Sequence, residues 1–149
     1  MINIVIPMAG AGSRFAKAGY KNPKPFIDVL GKPMICHVLD NLNIPDAKFI
    51  LLTRFEHYNN EQETVKWIKS NYKVEFVMID KLTEGAACTV LHAHRLINND
   101  TPLLIANSDQ IVDMDISEYI NDSKKRGLDG SVLCFEDNDK KLSLIHISE

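Results

Sequence analysis

The feature that most limits what this chain can fold into is its opening. A largely apolar run, Ile2–Ile6, leads into a loop of small residues, Ala9-Gly10-Ala11-Gly12-Ser13, followed at once by Arg14. Such a run reads as a buried strand, the kind found in parallel sheets covered by helices. Small residues after a strand let backbone N–H groups approach an anion closely, because no side chain intervenes. Downstream come a Lys-Pro pair, Lys24-Pro25, and a Gly-Lys-Pro turn, Gly31-Lys32-Pro33. Fixed cations beside such a loop suit an anion with several charges, the equipment of a nucleoside triphosphate site.

Two familiar phosphate loops are excluded. The dinucleotide fingerprint needs a third glycine where this chain has Phe15, preceded by a cation. The G-x-x-x-x-G-K-[ST] loop is absent as well.

The rest of the chain alternates between strand and helix patterns. Strands are expected at Ile2–Pro7, Phe49–Thr53, Val74–Ile79, Leu103–Ala106 and Gly130–Phe135. Helices are expected from Pro33 to about Leu42, Asn60 to Ser70, Gly85 to Arg95 and Ile116 to Arg126. This alternation predicts an α/β fold, a mostly parallel sheet with helices on both faces, whose ligands bind at the carboxyl ends of the strands. The small-residue loop, the segment before Gly85 and the segment after Ala106 all fall at such ends.

The blocks Gly10-Ala11-Gly12-Ser13-Arg14-Phe15, Pro23-Lys24-Pro25 and Gly31-Lys32-Pro33-Met34-Ile35 together resemble the signature of the sugar-phosphate nucleotidyltransferases, or nucleoside-diphosphate-sugar pyrophosphorylases. The likeness continues in Thr83-Glu84-Gly85-Ala86-Ala87 and Asn107-Ser108-Asp109 and spans about residues 2 to 135. It implies a Rossmann-like fold of the nucleotide-diphospho-sugar transferase type. It also implies transfer of a nucleoside monophosphate from a nucleoside triphosphate to a sugar 1-phosphate, with release of pyrophosphate. The partners would be those two small molecules, with a homo-oligomer allowed. A non-sugar acceptor (phosphocholine, a polyol phosphate or a molybdenum-cofactor pterin) is the alternative, as is a fragment that binds nucleotide without transfer.

The resemblance assigns roles residue by residue. Ala9, Gly10, Ala11, Gly12 and Ser13 would present N–H groups to the phosphates. Arg14, a planar fork of donors, suits the departing pyrophosphate, and Lys24 would be a point charge beside the α-phosphate. Gly85 would lie against base or ribose, Glu84 would contact them or else cap the helix that follows, and a base-reading residue would lie near Met78 to Lys81. Asp109 would hold Mg²⁺, which bridges phosphate oxygens. Most relatives carry Gly-Asp where this chain has Ser108-Asp109, which bears on the local backbone more than on the metal. Asp113 and Asp115 read instead as acids at the start of a helix.

Composition bounds the remaining readings. At 149 residues and 45% hydrophobic, the chain supports one sizeable core. A net charge of −3 argues against nucleic-acid binding driven by phosphate neutralisation. Residues 1–32 nevertheless carry Arg14, Lys17, Lys21, Lys24 and Lys32 against Asp28 alone, which fits a small polyanion. Cys36, Cys88 and Cys134 read as buried reduced thiols of a cytoplasmic protein, with no membrane segment. His92 and His94, two apart, do not share a helix face, and Trp67 and Ile68 read as core-facing. Lys124-Lys125-Arg126 reads as a helix C-terminal cluster.

The last eight residues, Leu142–Glu149, resemble the translation of a transposon end used as a sequencing-library adapter. On that reading residues 1–141 are the N-terminal, nucleotide-binding part of a C-terminally truncated domain, and 142–149 are a foreign tail. The resemblance would then place the acceptor pocket and a second metal-binding aspartate beyond them.

Overall fold

The computed structural model describes residues 1–10, 12, 15, 17–134 and 136. Ala11, Ser13 and Arg14 lie outside the described residues, as does the tail 142–149. The chain divides into two compact units, Met1–Met114 and Asp115–Glu149.

The first unit is built on a parallel sheet of four strands: β1 (Ile2–Pro7), β4 (Ala47–Arg54), β5 (Val74–Ile79) and β6 (Leu103–Ile105), in the order β5-β4-β1-β6. β1 is central, pairing Ile2 with Ala47 through Pro7 with Leu52 on one side, and Asn3 with Leu103 through Val5 with Ile105 on the other. Ile4, Val5 and Ile6 are consecutive and all fully buried, as are Ile50, Leu51 and Leu52. Successive strand residues point to opposite faces, so both faces of the sheet are covered.

Among the described residues the helices of this unit include α1 (Met34–Asn41), α2 (Phe55–Asn60), α3 (Gln62–Asn71), α4 (Ala86–Leu91) and α5 (His94–Ile97). α1 buries Ile35, Cys36, Val38 and Leu39, and α3 buries Val65 and Ile68, the helical spacing of a core-facing stripe. Val5, Ile50 and Leu52 share one core cluster with Val90 and Ala93, which places α4 and the start of α5 against that face. Connections run outward from β1 to β4 to β5, then return across the sheet to β6. With right-handed crossovers the two directions put helices on opposite faces.

A short hairpin, β2 (Asp28–Val29) and β3 (Lys32–Pro33), links the loop after β1 to α1. Its two turn residues, Leu30 (φ 52°) and Gly31 (φ 87°), are both left-handed, as a tight two-residue hairpin turn requires.

The second unit contains α6 (Ile116–Lys125). Asp115 caps it, accepting a 2.8 Å hydrogen bond from the Ser117 N–H. At its end Arg126 pairs with Asp122 at 3.1 Å.

Several expected elements differ. Gly85–Arg95 is not one helix: three-residue hydrogen bonds (His92 N–H to Thr89 O, Ala93 N–H to Val90 O) tighten the backbone between α4 and α5. Ala93 is thereby drawn into the core beside Val5 and Ala9. Gly130–Cys134 forms no strand, because nothing among the described residues supplies it a ladder, and Val132 is 84% exposed. Phe135 lies outside the described residues. Trp67 is not in the core: Val65 and Ile68 define the buried face of α3, and Trp67 lies half-exposed, its ring 6.3 Å from that of Tyr72. Of the cysteines only Cys36 is buried, while Cys88 and Cys134 are exposed. No helix among the described residues is long and apolar enough to cross a membrane.

Candidate functional site

In an open parallel sheet, the crevice for ligands opens where the strand order reverses, at the carboxyl ends of the strands. Here the reversal lies between β1 and β6, whose ends are Pro7 and Ile105. A cleft of about 440 Å³ opens at that point. One wall is the segment after β1, with Pro7, Met8, Gly10 and Gly12. Lys24, beside Gly12, and Pro25 line it too, and the loop after β6 contributes Ser108 and Asp109. Segments nearly a hundred residues apart in sequence meet because the strands before them are neighbours in the sheet.

The two glycines serve different needs. Gly12 has φ +58°, a left-handed conformation that other residues adopt only under strain. Gly10 has no such φ, and a Cβ added there would meet nothing within 4 Å. It leaves open space toward the cleft, room a ligand can use. Ala9 lies elsewhere, its side chain packed in the core cluster with Val90 and Ala93, so only its backbone is near the loop.

Lys24 is held on a rigid corner. Flanked by Pro23 and Pro25, whose fixed φ angles restrict the backbone, it opens a single 3₁₀ turn, Lys24–Phe26. Its ammonium forms an ion pair with the Asp109 carboxylate across the cleft. Asp109 is positioned in turn by its own loop. The Asn41 side chain, at the end of α1, both donates to Val112 O at 2.8 Å and accepts from the Val112 N–H at 3.0 Å. Asn107 donates to Gln110 Oε1 at 2.6 Å, closing the turn around Asp109. The sequence reading missed Asn41, since nothing local marks an amide that acts on a loop 71 residues away.

Of the expected site residues, Gly10, Gly12, Lys24 and Asp109 converge on this cleft. Ala11, Ser13 and Arg14 lie outside the described residues. Glu84 and Gly85 are exposed ahead of α4 and do not line the cleft. Gly85 is extended there, and its carbonyl accepts from both the Thr89 N–H and the Thr89 hydroxyl at 3.0 Å. Phe15, which closes the Gly10–Phe15 signature block but was given no role from the sequence, also lines the cleft. Among the described residues no three acidic, histidine or cysteine side chains cluster as a metal cage.

Comparison with known proteins bears on the same segments. The family described as nucleotidyl transferase matches residues 4–143. The chain is 31% identical over 127 residues to the bifunctional protein GlmU of Methanococcus vannielii, covering 85% of this chain and 29% of that protein. It is 28% identical to the mannose-1-phosphate guanyltransferase of Yarrowia lipolytica, covering 87% and 36%. Among solved structures, a nucleoside-diphosphate-sugar pyrophosphorylase from Vibrio cholerae matches with a TM-score of 0.59 at 26% identity, covering 78% of this chain and 52% of that one. HddC from Yersinia pseudotuberculosis complexed with GMP-PN matches with a TM-score of 0.66 at 23% identity, covering 83% and 54%, which supports the fold. The chain thus spans about half the length of these solved structures and about a third of these curated relatives.

Proposed function

The chain belongs to the nucleotidyl transferase family, and from that premise we propose that it carries the nucleotide-binding part of a sugar-phosphate nucleotidyltransferase. The reaction is transfer of a nucleoside monophosphate from a nucleoside triphosphate to a sugar 1-phosphate. A phosphate oxygen of the sugar attacks the α-phosphorus, the bond to the β-phosphate oxygen breaks, and pyrophosphate leaves with the electron pair. The observation that carries this reading is the convergence of a glycine loop, Lys24 and Asp109 on one cleft at the reversal point of the sheet.

The chemistry asks little covalent work of the protein, so positioning and charge stabilisation dominate. Gly10 and Gly12 bring backbone to the phosphates without side chains in the way. Lys24 stabilises charge on the phosphate oxygens, and Arg14 is proposed to act on the departing pyrophosphate. Asp109 fits a Mg²⁺ site of the kind that uses one or two carboxylates and completes its shell with phosphate oxygens and water. It points a carboxylate at the cleft and already holds a cation there, the Lys24 ammonium. An ion held by Asp109 would offset the charge on the phosphate oxygens. Glu84 and Gly85, exposed ahead of α4, are proposed to contact base or ribose.

Calorimetry of the 149-residue chain with a panel of nucleoside triphosphates and Mg²⁺ tests this reading, beside a pyrophosphate-release assay with sugar 1-phosphates. Weak triphosphate binding with no useful turnover is expected. Absence of binding to every triphosphate would overturn the assignment of the cleft. Robust turnover would show that the acceptor pocket is already present.

A further inference from the structure

Phe15 occupies a place in the cleft that the proposed reaction leaves without a role. Its ring centroid lies 5.0 Å from Lys24 Nζ, within the range at which an ammonium is attracted to an aromatic face. The ring is itself braced, 5.5 Å from the Tyr20 ring at a 60° tilt. Its backbone is anchored too: the Phe15 N–H donates to Gly12 O at 3.0 Å, and Phe15 O accepts from the Ala18 and Tyr20 N–H groups at 3.1 Å. The Lys24 ammonium therefore has two attractors, the Asp109 carboxylate and a fixed π face.

These attractors behave differently when a metal-bound polyphosphate enters. A carboxylate drawn onto a cation releases its lysine, and a free lysine on a four-carbon stem loses its position. The ring cannot be drawn away. It attracts the ammonium through its quadrupole and accepts no strong hydrogen bond, so the N–H donors of Lys24 remain available to phosphate oxygens. We propose that Phe15 is a positioning residue, holding the Lys24 ammonium in the cleft when Asp109 turns to the metal. The inference rests on the phosphate-binding reading given above.

The probe is magnesium tripolyphosphate, which presents the phosphates without a base, titrated calorimetrically into the 149-residue chain. Phe15→Leu should weaken binding about two- to five-fold, the range of an exposed cation–π contact, and Phe15→Tyr should restore it. In a Lys24→Ala background the Phe15→Leu effect should vanish, because a positioning residue acts only through the group it positions. In the unliganded protein the ε-methylene protons of Lys24 should show an upfield ring-current shift by NMR, lost in Phe15→Leu and kept in Phe15→Tyr. That measurement on the wild type and the tyrosine variant still decides the pairing if the leucine variant misfolds. An equal Phe15→Leu loss with or without Lys24, or no ring-current shift in the wild type, overturns the inference alone. Failure of the wild type to bind tripolyphosphate overturns the phosphate-binding reading, and this inference with it.

Discussion

The molecule contains two Lys-Pro dipeptides whose lysines each pair with an aspartate, and the two pairs have opposite meanings. Lys24 pairs with Asp109 across the cleft, and Lys32 pairs with Asp40 at the foot of α1. The two lysine side chains are equally exposed, 29% in each case. What differs is the surroundings. Asp40 also accepts a 2.9 Å hydrogen bond from the Tyr72 hydroxyl, so Lys32 belongs to a strut that ties the hairpin and α1 to the end of α3. Lys24 and Asp109 instead face open space lined by Gly10 and Gly12. An ion pair does not make a site; a ligand-sized space and backbone free to approach the ligand beside it do.

The largest expected effect separates the two lysines. Lys24→Ala should weaken triphosphate binding about 10- to 100-fold, the loss of a charge-assisted hydrogen bond to phosphate, with little change in the melting transition. Lys32→Ala should leave binding unchanged and cost about 0.2–1 kcal/mol of stability, the range of exposed ion pairs. Calorimetry and urea titration of both variants decide it. Equal binding losses would erase the distinction between strut and site.

The aspartates sharpen the comparison. Asp109→Asn keeps size and removes charge, so the gain in triphosphate affinity on adding Mg²⁺ should fall about tenfold, equivalent to 1.4 kcal/mol. Affinity without Mg²⁺ should hold or rise, because Lys24 is no longer paired. Asp40→Asn should leave the Mg²⁺ dependence as in the wild type. An unchanged Mg²⁺ titration in Asp109→Asn would make Asp109 a turn residue.

A third contrast lies within the loop. Gly12→Ala should destabilise the fold by about 1 kcal/mol, since its φ of +58° strains any Cβ, although the nearest atom would be 4.0 Å away. Gly10→Ala should leave the melt unchanged and weaken triphosphate binding instead. A destabilised Gly10→Ala would mean that Gly10 serves the backbone rather than the ligand.

The legibility of these features in the sequence follows from how local their causes are. The strand at Ile2–Pro7 and the helix beginning near Pro33 rest on neighbouring residues, and both were placed to within a residue. The cleft's glycines and Asp109 were legible because they follow strands of a parallel sheet, whose ends point one way, and Lys24 because Pro23-Lys24-Pro25 resembles a family signature. The Asn41 clamp on Val112 was not, because it joins two loops only after the sheet has formed. Trp67 misled for a related reason: a large apolar side chain on a helix favours burial, yet the buried stripe of α3 runs through Val65 and Ile68. Gly130–Phe135 has a strand's composition, but a strand needs a partner to pair with.

The last expected effect, a slope in pH, tests whether the Lys32 corner is a strut. Cys36, buried on α1, has its thiol pushed above its ordinary value of 9.0 to about 11, first by burial and then by the Asp40 carboxylate; Tyr72 and Lys32 oppose the shift. The unfolded chain, in which no such burial exists, loses this proton at lower pH than the folded chain. Above about pH 9 the unfolded state therefore binds fewer protons, and stability must fall as pH rises toward 11. Below pH 9 both states keep the proton and the contribution is complete. Urea titrations at pH 8, 9.5 and 10.5 should show a downward trend that Cys36→Ala flattens. The Tyr72 phenol, raised by burial and by its hydrogen bond to Asp40, contributes to the trend in both proteins, so the comparison rests on the difference in slope. Equal slopes would mean that Cys36 is not held against Asp40 in a dry corner, and the structural half of the comparison would lose its support.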